Sequence, residues 1–414
     1  MMPLPLRPLL LAILICLLVS PGVGEAQKAP ARPRAQELGI PLGGQPGPLD
    51  AITDVAGIEV GHTTLISGQG RLVKGKGPVR TGLTAVWPRG KASDEPTFAA
   101  TYALNGNGEM TGSHWVNESG LLYGPVVLTN TFSVGTVHDA VIAWASKRGK
   151  AFDFGLPVVA ETYDGVLNDI EGFHIKPEHV FRALDGASGG PVAEGSIGGG
   201  TGMICHAFKG GIGTASRKLP EAQGGYTVGV LVQCNYGHRK PFSVAGVPVG
   251  EEISDLQPCT TGSQPPSNPL VSGMASCPEK GASRGENFPG DLGSIIVIVA
   301  TDAPLLPHQL GRIARRVPLG IGKMGGFGSD SSGDIFLAFS TQGTRPAAQG
   351  TVSSVSMLEN DRLTPLFEAT VQATQEAILN ALLAADTMTG ADGVRVFALP
   401  QDRLIEAMKK YGRK

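Results

Sequence analysis

Glycine and proline recur at short intervals throughout this chain, and their frequency limits the folds that the chain can adopt. The 414 residues include 59 glycines and 31 prolines, which follow no collagen-like period and separate short apolar runs. This pattern is typical of a globular protein with many turns, and it excludes the fibrous classes. Apolar residues make up 41% of the chain and charged residues 17%. We therefore expect a substantial core and no extensive disorder.

The balance of charges argues against a nucleic-acid partner. Lysine and arginine total 34, aspartate and glutamate total 36, and the net charge is −2. Proteins that bind nucleic acids usually carry a basic excess on one face. The sequence therefore predicts no nucleic-acid partner.

Residues 1–26 have the composition of a secretory signal peptide. Arg7 precedes an apolar run at residues 9–19, and small residues follow up to Ala26. The run of about 11 residues is too short to span a bilayer, and no later segment approaches the roughly 18 uncharged apolar residues that a membrane span needs. We predict that residues 1–26 are removed and that the mature protein is periplasmic or secreted, without a membrane anchor.

Four cysteines follow residue 26, an even number in a chain that we expect to be exported. Cys259 and Cys277 bracket a stretch rich in serine, proline and glycine, and we predict a disulfide that closes this loop. Cys205 and Cys234 fall in predicted core strands, where buried thiols and a second disulfide both remain open. The eight histidines are scattered, so the sequence predicts no metal site and no other cofactor.

Strand and helix patterns alternate along the chain. Strands are predicted at residues 52–60, 81–87, 156–161, 226–234 and 295–300, and helices at 137–148, 364–385 and 400–411. A segment rich in proline, serine and glycine, at about residues 255–290, interrupts the alternation and is predicted to be an inserted loop or linker.

Three glycine motifs match functional patterns only superficially. Gly320, Gly322 and Gly325 spell GxGxxG, but no strand precedes them to form a phosphate-binding turn. Ser188 is the centre of a GxSxG match that lacks the strand and helix of a nucleophile elbow. Residues 198–202 are glycine-rich but lack the lysine of a phosphate-binding loop. We predict turns and close backbone packing at all three.

Gly293 and Ser294 form a pair whose position is unusual. The pair follows the predicted insertion and begins the most apolar strand after the signal peptide. A serine hydroxyl can attack the carbonyl group of the residue before it, and glycine hinders that attack least. Hydrolysis of the resulting ester would leave Ser294 as a new N-terminus. Its amine, with an ordinary pKa of roughly 7.7–8.0, could then accept the proton of the hydroxyl.

Several segments together resemble one known family. They are 105–112 (NGNGEMTG), 128–131 (LTNT) with 133–135 (SVG), 161–165 (ETYDG) with 167–169 (LND), 208–217 (FKGGIGTASR), 293–294 (GS) and 332–334 (SGD). In this order they are similar to the self-cleaving serine aminopeptidases, which comprise the L-aminopeptidase/D-alanine esterase-amidases and the β-aminopeptidases. The resemblance extends from about residue 38 to residue 410.

The resemblance implies an α+β fold, a four-layer αββα sandwich that is similar to the N-terminal nucleophile hydrolases but differently connected. It implies that residues 27–293 and 294–414 are two parts of one catalytic domain. It also implies that the mature protein is a homo-oligomer of αβ protomers.

The resemblance also implies roles for individual residues at the cut. Ser294 corresponds to the family nucleophile, and Gly293 to the residue before the cut. Ser332 and Asp334 correspond to the serine and the acid that accompany the nucleophile. Some members of the family have glutamate at the acid position, and aspartate is one methylene shorter, which makes its reach to the nucleophile an open question.

Three further residues correspond to positions around the substrate. Asn235 matches the asparagine near the oxyanion, where an amide donor stabilises developing charge without titrating. Glu161 and Tyr163 match positions that line the substrate pocket, Tyr163 among the catalytic residues. An aminopeptidase needs a carboxylate for the substrate ammonium, and Glu161 is the predicted one.

These observations predict an exported, self-processing serine aminopeptidase that acts on small peptides, amides or esters. One alternative is an acyl transferase like the ornithine acetyltransferases, although these use threonine at the cut. Another is a non-catalytic binding protein with the same fold. The sequence leaves open whether the released residue is an L-α-, a D- or a β-amino acid.

Overall fold

The computed structural model of the protein describes residues 32–149, 156–278, 293–343 and 352–414. The predicted signal peptide and residues 279–290 of the predicted insertion lie outside these ranges. The strands are β1 (Glu59–Ser67), β2 (Val79–Trp87), β3 (Thr97–Ala103), β4 (Leu121–Leu122), β5 (Val126–Asn130), β6 (Val158–Thr162), β7 (Ile204–Cys205), β8 (Phe208–Lys209), β9 (Gly211–Lys218), β10 (Thr227–Asn235), β11 (Cys259–Thr260), β12 (Ser294–Thr301), β13 (Ile335–Ser340), β14 (Met388–Thr389) and β15 (Val394–Val396).

The helices connect and cover these strands. They are α1 (Ser113–Ser119), α2 (Val134–Lys147), α3 (Pro177–Asp185), α4 (Val249–Glu252), α5 (Pro307–Ala314), α6 (Val317–Lys323), α7 (Thr364–Ala384) and α8 (Gln401–Lys410). Short 3₁₀ turns lie at Ile52–Asp54, Thr131–Ser133, Ile170–Gly172, Gly198–Gly200, Glu221–Gln223, Pro269–Val271, Asn360–Arg362 and Ala391–Gly393. None of the helices in the described residues combines the length and the apolar character that crossing a membrane requires.

Two mixed sheets form the centre of the molecule. The smaller has the order β1-β2-β5-β6 and the larger the order β4-β3-β13-β12-β10-β9. Neighbouring strands are antiparallel except for β5 with β6 and β12 with β13, which are parallel. A small sheet, β11-β15-β14, and the pair β7-β8 lie outside these two sheets.

The sheets face each other across an aliphatic core, and helices cover their outer faces. The core between them includes Val86, Leu128 and Ala160 from the smaller sheet and Leu231, Ile298 and Leu337 from the larger. Helices α2 and α3 cover the smaller sheet, where Trp144 packs against Trp87. Helices α5 and α7 cover the larger sheet. The layers therefore run helix, sheet, sheet, helix, and the predicted αββα sandwich is confirmed.

β12 shows most directly how the sequence determines an element. Its sequence is SIIVIVAT, and every residue in it is buried. The strand has a neighbour on each side and a layer on each face. A strand in that position needs an apolar or small residue everywhere, so it reads as a continuous run without alternation.

The predicted strand at residues 52–60 is wrong in its first half. Ile52–Asp54 form a 3₁₀ turn, and β1 begins at Glu59. The Asp54 carboxylate stabilises the turn by accepting a hydrogen bond from the backbone N–H of Leu49 (2.9 Å). The other predicted strands correspond to β2, β6, β10 and β12, and the predicted helices to α2, α7 and α8.

Cys259 and Cys277 form the expected disulfide, and Cys205 and Cys234 form a second one. We call residues 259–277 the disulfide segment. It is more than a linker, because β11 within it pairs with β15. The earlier part of the predicted insertion is thereby attached to the C-terminal part of the chain.

Candidate active site

The Gly293-Ser294 peptide lies at the start of β12, near the middle of the larger sheet. β12 pairs with β10 so that Ser294 is directly opposite Asn235. On its other side β12 runs parallel to β13, with Ile296 level with Ile335. Parallel strands begin at the same edge of a sheet. The residues immediately before β13 therefore lie beside Ser294.

Ser332, Gly333 and Asp334 are the residues at that edge. The backbone N–H of Gly333 donates to Ser294 Oγ (2.9 Å). Ser332 Oγ lies 2.6 Å from Asp334 Oδ1 and 3.0 Å from the carbonyl oxygen of Gly293. The one hydroxyl hydrogen of Ser332 can be donated to either oxygen, but to only one at a time. Ser332 thus lies between a carboxylate and the carbonyl group that self-cleavage would attack.

The carboxylate of Asp334 hydrogen-bonds two groups beside Ser294. Its Oδ1 accepts hydrogen bonds from Ser332 Oγ and from the backbone N–H of Ile295 (3.2 Å). Ser294, Ser332 and Asp334 are all buried. Burial strengthens such hydrogen bonds because water does not compete for them. The shorter side chain of aspartate therefore still reaches Ser332.

Gly293 fits its position because it has no side chain. A Cβ atom on Gly293 would lie 1.6 Å from the carbonyl oxygen of Asn235 and 2.6 Å from its Nδ2. No other residue can therefore occupy this place without moving the peptide away from β10. The contact also shows that the carboxamide of Asn235 lies against the peptide bond before Ser294.

The carboxamide of Asn235 is held in one orientation. Its Oδ1 accepts a hydrogen bond from the backbone N–H of Ile204 (2.7 Å), and its Nδ2 donates to the carbonyl oxygen of Tyr163 (3.0 Å). These two contacts use the acceptor and one of the two donors. The second N–H of Nδ2 is the donor that could face an oxyanion.

Glu161 lies at the end of β6 as a buried carboxylate. It accepts hydrogen bonds from the hydroxyl group of Thr131 and from the backbone N–H of Glu109 (3.0 Å). No lysine or arginine of the described residues forms an ion pair with it, and burial raises the pKa of its carboxyl group. A Cβ on Gly108 would lie 3.3 Å from Glu161 Oε1 and 3.1 Å from the Cα of Gly333. Gly108 therefore lies close both to this carboxylate and to Gly333, the residue whose backbone N–H contacts Ser294.

The main chain and the side chain of Tyr163 form hydrogen bonds with two different parts of the molecule. Its carbonyl oxygen accepts from Asn235. Its phenol oxygen accepts from Nδ2 of Asn268 (3.1 Å), which belongs to the disulfide segment. Burial raises the pKa of the Tyr163 phenol. The predicted pocket residue therefore connects the residues around Ser294 with the disulfide segment.

The loop at residues 105–109 holds the segment before β13 in place. Asn105 Nδ2 donates to the carbonyl oxygen of Ser329 (2.9 Å), and Asn107 Nδ2 donates to that of Ser331 (2.7 Å). From the sequence this loop was only part of the family resemblance. The repeated Asn-Gly pairs were the available signal, because asparagine caps nearby backbone groups and glycine permits close approach.

A cavity of about 750 Å³ lies beside the disulfide segment. Its lining includes Arg71, Thr261, Gln264, Asp392 and Arg395 and none of the predicted site residues. It is a separate feature from the group around Ser294. The described residues contain no cluster of three or more histidine, cysteine, aspartate or glutamate side chains that could hold a metal ion.

Comparisons with known proteins point to one family. The family profile described as Peptidase family S58 matches residues 50–396. The chain is 53% identical over 383 residues to a "Beta-peptidyl aminopeptidase BapA" of Sphingosinicella microcystinivorans, covering 92% of this chain and 93% of that protein. It is 46% identical over 410 residues to the protein of the same name from Sphingosinicella xenopeptidilytica, covering 97% and 96%.

Solved structures give the same result. A Burkholderia sp. β-aminopeptidase aligns with a TM-score of 0.78 at 46% identity and covers 92% of this chain and 99% of its own. The L-aminopeptidase D-Ala-esterase/amidase of Ochrobactrum anthropi aligns with a TM-score of 0.79 at 42% identity, with the same coverage. The latter is described as a prototype of the serine aminopeptidases and a new variant of the Ntn hydrolase fold.

Proposed function

This chain belongs to peptidase family S58 and is an aminopeptidase, and we propose that it cuts itself between Gly293 and Ser294 and then uses Ser294 as its nucleophile. One observation carries the proposal. Ser332 Oγ lies 3.0 Å from the Gly293 carbonyl oxygen, and the Gly333 N–H lies 2.9 Å from Ser294 Oγ. The segment before β13 thus forms hydrogen bonds both with the carbonyl oxygen of Gly293 and with the hydroxyl group of Ser294.

Self-cleavage would proceed in two steps. Ser294 Oγ forms a bond with the carbonyl carbon of Gly293, and the C–N bond of the peptide breaks. The hydroxyl proton passes to the nitrogen of Ser294, so that an ester replaces the amide. Water then hydrolyses the ester and leaves a Gly293 carboxylate and a free Ser294 amine. Ser332 supplies a hydrogen bond to the carbonyl oxygen while that oxygen carries negative charge.

Turnover would use the same groups after the cut. The Ser294 amine takes the proton of its own hydroxyl, and the hydroxyl oxygen forms an ester with the acyl group of the substrate. The leaving amine receives that proton, and water releases the amino acid. Asn235 and Ser332 are the donors for the oxyanion. The one hydroxyl hydrogen of Ser332 turns from Asp334 to the oxyanion while that charge is present, and Asp334 holds the Ser332 hydroxyl in place at the other stages. Glu161 pairs with the ammonium group of the substrate.

We propose β-amino acids as the preferred N-terminal residues of the substrate. Two relatives that align over nearly the whole chain, at 53% and 46% identity, are named β-peptidyl aminopeptidases. A panel of β-, L-α- and D-aminoacyl p-nitroanilides, assayed on the processed protein, tests this choice. Faster turnover of L-α- or D-substrates would contradict it.

We also propose that residues 1–26 direct export to the periplasm or the medium, and that the mature protein is a homo-oligomer of αβ protomers. The composition of residues 1–26 supports export. Cell fractionation and the N-terminal sequence of the mature chain test the first proposal. Native mass spectrometry tests the second.

Mass spectrometry of the purified protein tests self-processing. The wild-type protein should contain two fragments, the second beginning Ser-Ile-Ile-Val. The Ser294→Ala variant has no attacking hydroxyl group and should remain one inactive chain. An uncut, inactive wild-type protein would favour a non-catalytic binding protein of the same fold. Acetyl transfer to ornithine without peptidase activity would favour the acyl transferase alternative.

A further inference from the structure

Asn268 of the disulfide segment makes three hydrogen bonds that fix its side chain. Its Nδ2 donates to the phenol oxygen of Tyr163 (3.1 Å) and to the carbonyl oxygen of Gly165 (2.8 Å). Its Oδ1 accepts from the backbone N–H of Leu270 (3.0 Å). With both amide hydrogens and the oxygen engaged, the carboxamide cannot flip without losing all three contacts. Asn268 therefore acts as a donor, and never as an acceptor, toward Tyr163.

This contact determines what the Tyr163 hydroxyl group can do. A phenol has one hydrogen to donate, and Asn268 already donates to its oxygen. No group of the described residues accepts the Tyr163 hydroxyl hydrogen. Burial raises the pKa of the phenol, so the hydrogen stays in place at neutral pH. Tyr163 is thus left as a half-buried hydrogen-bond donor without an acceptor among the residues that the structure describes.

The disulfide segment is firmly attached where it carries Asn268. The backbone N–H of Ser267, the preceding residue, donates to Asp392 Oδ2 (2.6 Å). Thr260 Oγ1 donates to the carbonyl oxygen of Asp392 (2.9 Å). The disulfide between Cys259 and Cys277 closes the segment. The disulfide and these hydrogen bonds therefore hold Asn268 in its position beside Tyr163.

We propose that Asn268 is a positioning residue that commits the Tyr163 phenol to donate a hydrogen bond to the bound substrate, and that the disulfide segment completes the substrate pocket. This inference rests on the proposed aminopeptidase function. The same Tyr163 residue binds Asn235 through its carbonyl oxygen. A change at Asn268 therefore acts on a residue that already contacts the proposed oxyanion donor.

A double-mutant cycle tests this coupling in the processed protein. Asn268→Ala and Tyr163→Phe should each lower kcat/KM by roughly tenfold, the loss typical of one hydrogen bond to a substrate. The double variant should be no worse than Tyr163→Phe, because Asn268 acts only through the phenol. Asn268→Asp should be at least as impaired as Asn268→Ala, since a carboxylate accepts the phenol hydrogen. Gln257→Ala, which removes an exposed hydrogen bond to the Ser254 carbonyl oxygen just before the segment, is the control and should leave kcat/KM unchanged.

Opening the segment provides a second arm. The Cys259→Ala/Cys277→Ala variant should show part of the Asn268→Ala loss, and that loss should vanish in the Tyr163→Phe background. Full activity of Asn268→Ala would overturn the proposal. Equal losses from Asn268→Ala with and without the phenol would also overturn it, because the role would then be structural.

A measurement without substrate separates this inference from the proposed function. Burial raises the pKa of the Tyr163 phenol, and the hydrogen bond from Asn268 limits this rise because it favours the ionised phenol. Asn268→Ala should therefore shift the tyrosinate absorbance of Tyr163 to higher pH, measured as the difference between each protein and its Tyr163→Phe counterpart. An unchanged titration would overturn the proposal even in a protein that hydrolyses no substrate. An inactive wild-type protein with the expected shift would leave the positioning role standing and count only against the proposed function.

Discussion

At position 293, the chemistry of cleavage and the available space require the same residue. A Cβ on Gly293 would lie 1.6 Å from the carbonyl oxygen of Asn235, which is itself fixed in the ladder between β10 and β12. Moving either strand end would break hydrogen bonds in a buried sheet. Packing therefore restricts the position of the scissile carbonyl group, in addition to the hydrogen bond that it accepts from Ser332.

Gly293→Ala should therefore block self-processing although it leaves Ser294 intact. The added methyl group pushes the Gly293 carbonyl away from Ser294 and Ser332, and we expect most of the chain to remain uncut after a day. Denaturing gels and mass spectrometry measure the uncut fraction. Gly322→Ala is the matched control, because nothing lies within 4 Å of its Cβ position in α6. Complete processing of Gly293→Ala would refute the steric argument.

Glu161 is a second residue whose environment predicts its effect. A glutamine side chain at position 161 has the shape of glutamate and can still accept the hydrogen bond from the backbone N–H of Glu109, but it has no charge to attract an ammonium group. We expect Glu161→Gln to lower kcat/KM for substrates with a free amine by about 10- to 150-fold, equivalent to roughly 1.5–3 kcal/mol. Equal turnover of free and N-acetylated substrates by the wild-type enzyme would contradict this role.

The pH dependence of Glu161 follows from the same burial. Burial raises the pKa of the carboxyl group in the folded protein above its value in the unfolded chain. Between these two pKa values the folded state binds more protons, so the contribution of Glu161 to stability falls as pH rises through that window. The activity should instead rise with pH through that window, because only the ionised Glu161 carboxylate attracts the ammonium group of the substrate. Glu161→Gln should thus keep or raise the melting temperature at neutral pH while kcat/KM falls.

Sequence reasoning located residues that belong to short motifs and missed those that do not. Ser294, Ser332 and Asp334 stand in two such motifs, and the resemblance was enough to select them. Gly333 also stands in the second motif, but its contribution is a backbone N–H, which no side-chain pattern reveals. Asn268 lies 105 positions from Tyr163, and only the fold shows that they meet.

At the scale of elements, the parallel pairing of β12 with β13 assembles the site. The two strands begin at the same edge, and this places Ser332 and Asp334 beside a serine almost forty positions earlier. The apolar run of β12 was readable because it is buried on both faces. The role of residues 255–278 was not, because β11 pairs with β15 more than a hundred positions later. A composition rich in proline, serine and glycine indicates a loop but not its partner.

Ser332→Ala should impair turnover far more than self-processing. Cleavage happens once, with the hydroxyl and the carbonyl group tethered in one peptide, at an effective concentration that no diffusing substrate reaches. We expect fragments to form within hours while kcat/KM drops by at least about 100-fold, the range seen when one oxyanion donor is lost. Asp334→Asn should follow the same pattern, because Asp334 orients Ser332.

Fragment formation followed over hours, beside steady-state hydrolysis, measures both rates. Ser353→Ala, a change at an exposed serine outside the site, is the control. A fully processed and fully active Ser332→Ala protein would remove Ser332 from the catalytic set.

At the scale of the whole molecule, the proposed cut divides the chain without dividing the fold. β12 and β13 come after the cut, yet β12 pairs with β10 and β13 pairs with β3, which both come before it. Helix α7, also after the cut, packs on β9 and β10. The core between the larger sheet and its helices therefore draws side chains from both parts. Cleavage at the start of β12 removes one covalent bond and leaves these contacts in place.

Residues 27–293 and 294–414 should therefore remain together after cleavage. Residues 27–293 alone would expose the apolar surface of β9 and β10 that α7 covers, and residues 294–414 alone would expose the apolar side of α7, which water disfavours strongly. Both parts would also have unpaired strand edges where β10 meets β12 and where β3 meets β13. We expect the two fragments to co-elute in native size-exclusion chromatography, at the volume of the uncut Ser294→Ala protein. They should separate only in denaturant, and thermal unfolding of the cut protein should show one transition for both. Elution of residues 294–414 as a separate folded species would mean that the cut divides the molecule into independent domains, contrary to the shared sheet.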